Sequence, residues 1–507
     1  MLASLRTAGL LGLNAYLVDI EVDICRKSLP QWHMVGLPES EVKESRERVI
    51  AAIKNSGFDF SQRKITINLA PANIRKEGTA FDLPIALGLL SASGFISVTS
   101  MPGYLFFGEL SMDGRLRSIR GLLPLLLLAK KKKISKVIIP KENAGEASVV
   151  EGLTIYALEN LSEAVDLVEG KHEFLPLQAQ KFLPKLEEIS HDFQDVCGQF
   201  QTKRALEIAA CGGHNVLLIG SPGSGKTMLA SRLPGILPPL SFEESLETSA
   251  IYSVMGFIKN QSSLLSERPF RAPHHSISDA GLIGGGSIPK PGEVSMAHHG
   301  VLFLDELPEF KKHVIELLRQ PLESREVTIS RSGLSLTYPA HFILIAAMNG
   351  CPCGYLGHPR IACICGPNQV QKYRAKISGP LLDRMDLQIF VPPITYEDIS
   401  SSLTNREASF VIRKRVDEVR CLQQKRFKNH SLNAHMGSKN IRKYCELKPE
   451  SKQIMKNLMD KFHLSARAHD RILKVSRTIA DLAGVSVIET SHLLEAVQYR
   501  FLERPLV

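Results

Sequence analysis

The sequence predicts an α/β protein organised around a phosphate-binding loop, with a helical C-terminal region. Three observations carry this. Val216 to Ile219 form an apolar run that feeds Gly220-Ser221-Pro222-Gly223-Ser224-Gly225-Lys226-Thr227 and then a helical pattern. A second apolar run, VLFL at 301–304, ends directly on Asp305 and Glu306. The first 170 residues alternate short strand-like and helix-like segments, whereas the pattern from about 396 onward is helical.

Taken in order, the start MLASLRTAGLLGLNAYLVDIEVDIC imitates a signal peptide only faintly. Its apolar run is short and Asp19, Glu21 and Asp23 follow at once, so the alternation YLVDIEVDI reads as a strand. KITINLA, YLFFGEL, KVIIP and LTIYAL read as further strands. SEVKESRERVIAAIKNSG reads as a helix stopped at Gly57, and DLPIALGLLSASG as another. GLLPLLLLAKKKK fits a buried helix finishing in a solvated basic turn better than a nucleic-acid patch. Residues 1–170 are therefore one α+β or α/β domain. Residues 171–190 mix prolines and charges without a period and read as a linker. A second α/β block spans 191–395, and 396–507 forms a helical domain. Its basic stretch VIRKRVDEVRCLQQKRF fits a solvated outer face better than a DNA contact.

Composition narrows the class. A chain of 507 residues, 44% hydrophobic and 22% charged, is too long for one ordinary domain and too apolar for wholesale disorder. Lys+Arg 62 against Asp+Glu 52 leaves +10, which permits a polyanionic partner without establishing one. No uninterrupted apolar run reaches about 18 residues, so no membrane span is expected. Nine cysteines are too few for a disulfide scaffold, and a cytoplasmic protein is expected.

The loop at 220–227 satisfies G-x-x-x-x-G-K-[ST] in the strand–loop–helix setting that this motif requires. Its glycines let successive backbone N–H groups turn toward phosphate oxygens, and the helix start adds the positive end of its dipole. Lys226 is expected to reach the β- and γ-phosphates and Thr227 to ligate Mg²⁺. Asp305 is expected in the same Mg²⁺ shell, with Glu306 polarising the attacking water as general base. The expected chemistry is hydrolysis of a nucleoside triphosphate. The long interval between Lys226 and Asp305 must hold inserted structure. It contains His274, His275, His298 and His299, two doublets without nearby carboxylates in sequence, read as packing or hydrogen-bonding locally rather than binding metal.

Cys351, Cys353, Cys363 and Cys365 crowd onto one short stretch. Four thiolates can close a tetrahedral Zn²⁺ site, with His358 as a substitute ligand. Free thiols and two redox pairs are the alternatives, and no general base beside the set suggests catalysis.

Together GSPGSGKTML, VLFLDELPEF, AAMNGCPCGY and SGPLLDRMDL resemble the magnesium-chelatase-like branch of the AAA+ ATPases, and more narrowly the YifB/ComM family. NIRKEGTAFDLPIALG, FGELSMDGRLRSIRG and LSARAHDRILKVSRTIADLAG extend the likeness almost end to end. The resemblance implies an AAA+ P-loop NTPase core with an α-helical lid, preceded by a Lon-protease-like α+β domain. It implies a homo-hexameric ring that uses ATP and Mg²⁺ to drive branch migration of DNA, single-stranded or branched, in recombination and natural transformation. It makes Asn349 the sensor-one residue, Arg384 an arginine finger offered to a neighbouring subunit, and Arg467 the sensor-two arginine with Arg471 as fallback. It makes the Gly281–His298 segment the helix-two insert and REVTISRSGLSLTYPA, turning at Ser332-Gly333, the hairpin before sensor one. Lys290, Arg325 and Arg331 would then meet DNA phosphates in the pore, or else decorate an exposed hairpin or subunit interface.

A Lon-type dyad needs a serine and a lysine. The matching turns here read Glu77-Gly78-Thr79-Ala80-Phe81 and Arg120-Gly121-Leu122-Leu123, with threonine and leucine at those two places. No peptidase activity is expected, and the N-terminal domain becomes a scaffold or a module for a protein partner. A chelatase-like ATPase remodelling a protein client is the competing reading. Magnesium insertion into a porphyrin is disfavoured by the fused N-terminal domain.

Overall fold

The first hairpin joins a strand that alternates only at its start to one that alternates over its second half. Strand β1 (Leu2–Leu11) buries Ala3, Leu5 and Thr7 and exposes the residues between them. It pairs antiparallel with β2 (Asn14–Cys25), Leu5 opposite Ile20, so the signal-like start is a sheet strand. The computed structural model describes residues 2–25, 29–60, 63–97, 99, 101–180, 182, 191–258, 264–286, 289–331, 334–394, 406–428, 431–462 and 464–500. With β3 (Gln31–Val35) and β4 (Lys64–Ala70) the hairpin forms a sheet ordered β1-β2-β4-β3. Helix α1 (Ser40–Asn55) stops where Gly57 takes φ +86°. Helix α2 (Asp82–Ser93) is buried all round from Asp82 to Ala92, which explains why it shows no polar face in sequence. A parallel sheet follows, β5 (Tyr104–Phe106), β6 (Lys136–Pro140) and β7 (Thr154–Leu158). The leucine-rich helix α3 (Leu122–Lys131) buries Leu122, Leu123, Leu125 and Leu126 and leaves Lys130 exposed, as its composition predicts. Helix α4 (Leu161–Glu169) completes the run, N-capped by Asn160.

Chain contacts divide the protein into two units, Met1–Leu183 with Ser241–Leu265, and Pro184–Leu240 with Ser266–Val507. The first unit is thus discontinuous, whereas the sequence reading assigns 241–265 to the second α/β block. The difference has a packing cause that no local pattern reveals. Ser241 caps a helix spanning Phe242–Met255, whose Leu246 and Ala250 join the cluster of Leu122, Leu123 and Leu126. The Gly121 N–H donates to the Ser253 carbonyl at 3.0 Å. Of the expected linker, Leu177 and Gln180 are also tied down, to Ile155 and Ser148, while 181 and 183–190 lie outside the described residues.

The second unit is built on β8 (Val216–Gly220), β9 (Phe270–Arg271), β10 (Val301–Leu304), β13 (Ile343–Met348) and β14 (Leu387–Val391). They lie in the order β9-β10-β13-β8-β14 and every pairing is parallel. Strands β8, β10 and β13 are buried at every position, which accounts for their unbroken apolar runs. Between β10 and β13 an antiparallel hairpin, β11 (Glu326–Arg331) and β12 (Leu334–Pro339), pairs Arg331 with Leu334. Its expected turn at Ser332-Gly333 lies outside the described residues. The C-terminal region is helical as expected: Ser409–Phe427, Ser438–Tyr444, Pro449–Phe462, Ala466–Leu482 and Thr490–Gln498. Apolar residues of these helices and of the sheet share one core.

That core also carries polar ties. His214 contacts Asp386 at 3.2 Å through Nδ1 and Thr478 at 2.8 Å through Nε2. Beside them the His341 and His435 rings stack edge to face, centroids 4.8 Å apart. Burial first, and then neighbouring histidines and Arg325, push both imidazoles well below their ordinary value. Such groups bind protons in the unfolded chain before the folded one does, so stability falls as pH drops below about 6.5. Each contributes a loss of up to about 1.4 kcal/mol per pH unit. Thermal unfolding followed from pH 7.5 to 5.5 should show a falling Tm, with a shallower fall in the His341→Gln, His435→Gln double variant.

Candidate active site

Three strand ends converge on one point. β8 delivers the loop, β10 delivers Asp305 and Glu306, and β13 delivers Asn349, one residue past its end. Gly223 and Gly225 take φ +76° and +85°, conformations that other residues rarely adopt. A side chain at Gly220 would collide with the Val391 carbonyl, 2.4 Å from an ideal Cβ, so glycine is required there. Gly223 faces open space.

Lys226 curls back over the loop. Its Nζ donates to the Gly220 and Ser221 carbonyls, both at 2.9 Å, and to Asn349 Oδ1 at 3.3 Å. Burial lowers the lysine's pKa, and Asp305 and Glu306 act against that shift. Thr227 Oγ1 donates to Asp305 Oδ2 at 2.7 Å, which joins the hydroxyl and the carboxylate expected to share Mg²⁺. Glu306 sits at φ +52°, its own N–H held by Asp305 Oδ1 at 2.9 Å, and its carboxylate is exposed. A left-handed glutamate costs of order 1–3 kcal/mol and is the kind of strain that gathers at working sites. His275 corrects the reading of the histidine doublets: its Nδ1 lies 3.6 Å from Glu306 Oε2, a carboxylate distant in sequence. His274 does bond locally, its Nδ1 2.9 Å from Ser276 Oγ, whereas His298 Nδ1 accepts at 3.1 Å from the N–H of His341, a partner distant in sequence.

The loop fits a nucleotide's phosphates on its own evidence. The buried hydroxyls of Ser221 and Ser224 have no hydrogen-bond partner among the described residues, and a bound phosphate oxygen would satisfy such orphans. An adjoining cleft of ≈ 580 Å³ is lined by Glu306, Glu309, Asn349, Pro352, Lys372 and Tyr373. Burial, and secondly Glu309, push the Tyr373 hydroxyl up to about 12. Its position was not legible in sequence, because nothing local marks a tyrosine in PNQVQKYR as facing Asn349.

The remaining candidate residues are placed elsewhere. Arg384 is buried, its Nη2 paired with the Glu323 carboxylate and its Nη1 with the Pro380 carbonyl, while Nε has no partner among the described residues. Arg467 is exposed, with its guanidinium 4.0 Å from Asp383. Arg471 is taken up by Asp386 at 2.6 Å. Burial would raise the Asp386 carboxyl, yet Arg471 and His214 hold it well below the usual range. Lys290 is exposed on a short ribbon. Arg325 takes φ +60° at the foot of the hairpin, half-buried, its pKa lowered by that burial. Arg331 ends β11. In the first unit the Thr79 hydroxyl donates to the Glu109 carboxylate and Leu123 is fully buried.

The four clustered thiols do meet, every Sγ within 4.8 Å of the others. Cys351 is fully buried and the other three are half-buried. Backbone N–H groups, foremost that of Tyr355, hold the Cys353 thiol down to about 6. His358 stands apart from the set: its Nδ1 accepts from the Arg360 and Ile361 N–H groups at 3.1 and 3.0 Å.

Residues 192–399 match the family described as magnesium chelatase, subunit ChlI; 20–143 match subunit ChlI of Mg-chelatase, and 406–500 its C-terminal part. The chain is 44% identical over 508 residues to YifB of Escherichia coli K12, spanning all of this chain and 98% of that one. It is 44% identical over 504 residues to the competence protein ComM of Haemophilus influenzae, spanning 98% and 97%. Likeness to the magnesium-chelatase 38 kDa subunit of Rhodobacter capsulatus is weaker, 28% over 31% of this chain and 49% of that one.

Proposed function

Because the chain belongs to the YifB/ComM family of magnesium-chelatase-like AAA+ proteins, we propose that it is an ATP-hydrolysing motor acting on DNA as a ring of identical subunits. The observation that carries the ATPase reading is the pair of ties Lys226–Asn349 and Thr227–Asp305, which bring together three segments far apart in sequence. In this reading the 220–227 loop wraps the phosphates and Lys226 holds the β/γ junction. Glu306 takes the proton of the attacking water, and Asn349 orients that water. Thr227 and Asp305 are the residues that would hold Mg²⁺, which when bound would supply charge neutralisation to the phosphates. Arg384 completes a neighbour's site and Arg467, the exposed one of the two lid arginines, follows the nucleotide from the helical lid.

DNA is the proposed partner on two grounds: the relative named a competence protein, and the basic hairpin region with Lys290 and Arg331. Arg325, half-buried beside the histidines, is the weakest of the three proposed contacts. A hexamer promoting branch migration in recombination and natural transformation is the full form of the proposal. The four thiols hold a structural Zn²⁺ in this reading, and the cytoplasm is its place of action. Among the described residues no helix is long and apolar enough to cross a membrane.

A labelled four-way DNA junction tests the proposal. Wild-type chain with ATP should convert it to products, and neither Lys226→Ala nor a non-hydrolysable ATP analogue should. An ATPase that leaves every junction intact would favour the second reading, a remodeller of a protein client. The discontinuous N-terminal unit, with its own buried core, favours that reading as the client module.

A further inference from the structure

The cysteine loop is pressed onto the nucleotide site. Cys351 stands two residues after Asn349, whose Oδ1 accepts from Lys226 and whose backbone N–H is directed at the Tyr373 hydroxyl. Three residues further on, the loop meets the phosphate-binding loop itself. An ideal Cβ at Gly354 would lie 2.7 and 2.8 Å from the Pro222 Cδ and Cγ, so only a bare backbone fits between them. Gly354 is also at φ +87°. The loop touches the sheet as well, since a Cβ at Gly357 would lie 3.3 Å from the Phe390 ring. Arg374, from the helix after the loop (Pro367–Arg374), reaches the Gly350 carbonyl at 3.4 Å.

The sulfurs are spaced for a metal. Cys351 Sγ lies 3.3 Å from Cys353 Sγ and 3.5 Å from Cys363 Sγ, and Cys353 lies 3.6 Å from Cys363. A disulfide would draw a pair to about 2.05 Å. A tetrahedron with Zn–S bonds of about 2.3 Å sets its corners roughly 3.8 Å apart. The Leu356 N–H points at Cys351 Sγ at 3.3 Å, the kind of outer contact that orients a thiolate ligand.

We infer that a Zn²⁺ held by Cys351, Cys353, Cys363 and Cys365 clamps the Asn349 loop against Pro222, and that the nucleotide site is competent only while this clamp is closed. Binding the ion displaces the thiol protons and involves no change of oxidation state. Metal release frees the loop at both contacts: Asn349 loses its fixed distance to Lys226, and the phosphate loop loses its support at Pro222. The inference rests on the nucleotide-site reading but has its own readout.

The test uses the full-length protein. Elemental analysis should find one zinc per chain. Titration with a mercurial, with a chromogenic chelator reporting the released ion, should raise hydrogen exchange in peptides covering 216–228 and 343–352. ATP turnover should fall at least about tenfold in step with zinc release. Circular dichroism checks that the sheet survives. Gly354→Val keeps all four thiols and should keep its zinc while losing turnover, because the new side chain displaces Pro222. Absence of metal, iron in place of zinc, or zinc release that leaves exchange at 216–228 unchanged would overturn the inference. If the untreated chain binds zinc and the exchange responds but no ATP is turned over, the nucleotide-site reading fails while the clamp stands.

Discussion

Glu306→Gln should lower ATP turnover by about 10²–10⁴-fold while a fluorescent ATP analogue still binds. The side chain is one residue past Asp305, whose carboxylate is tied to Thr227, and its left-handed backbone projects the carboxylate free of the strand end. Glutamine preserves size and hydrogen bonding but accepts no proton at neutral pH. Retained binding separates loss of the base from loss of the fold. Lys226→Ala differs in kind, because it removes the group that fixes the loop carbonyls and Asn349 together, so binding and turnover should both fall. Unchanged turnover in Glu306→Gln would place the base elsewhere.

Arg384→Ala should cost about 10³–10⁵-fold in turnover, the range for an arginine that stabilises a phosphoryl-transfer transition state. In the single chain this arginine is engaged with its own Glu323 and Pro380, so reaching a neighbour's phosphate requires exchanging the Glu323 carboxylate for the phosphate. Glu323 is largely exposed and stays solvated without its partner, but Arg384 itself is buried and bonded to the Pro380 carbonyl, so its truncation should also lower Tm and turnover is compared well below the variant's Tm. Mixing supplies the decisive control. Glu306→Gln and Arg384→Ala chains, each inactive alone, should recover activity together, since some interfaces in a mixed ring pair an intact Glu306 with an intact Arg384. No recovery from variants that still assemble would mean that Arg384 does not act between subunits.

How much of this was legible depended on sequence distance. The 220–227 loop and the Asp305-Glu306 pair are local patterns whose residue types follow from the chemistry, and the structure brings them together. The four cysteines could be grouped because they crowd one stretch. The approach of their loop to Pro222 through Gly354 could not be foreseen, because it depends on β13 and β8 lying side by side. Likewise, Arg467 and Arg471 share one helix and look equivalent in sequence. What separates them is Asp386, at the start of β14, which takes Arg471 and leaves Arg467 exposed. The hidden first strand and the helix of Phe242–Met255 escaped for one reason: each is defined by a partner, β2 or the α3 cluster, rather than by its own period.

The most direct measurement is the steady-state ATPase rate with no DNA, single-stranded DNA and branched DNA, with Lys226→Ala as the blank. The account predicts a rate that rises several-fold with DNA, most with the branched form, and that loses this rise when Lys290 and Arg331 are neutralised. A robust rate indifferent to every DNA would contradict it and make a protein client the substrate of this motor.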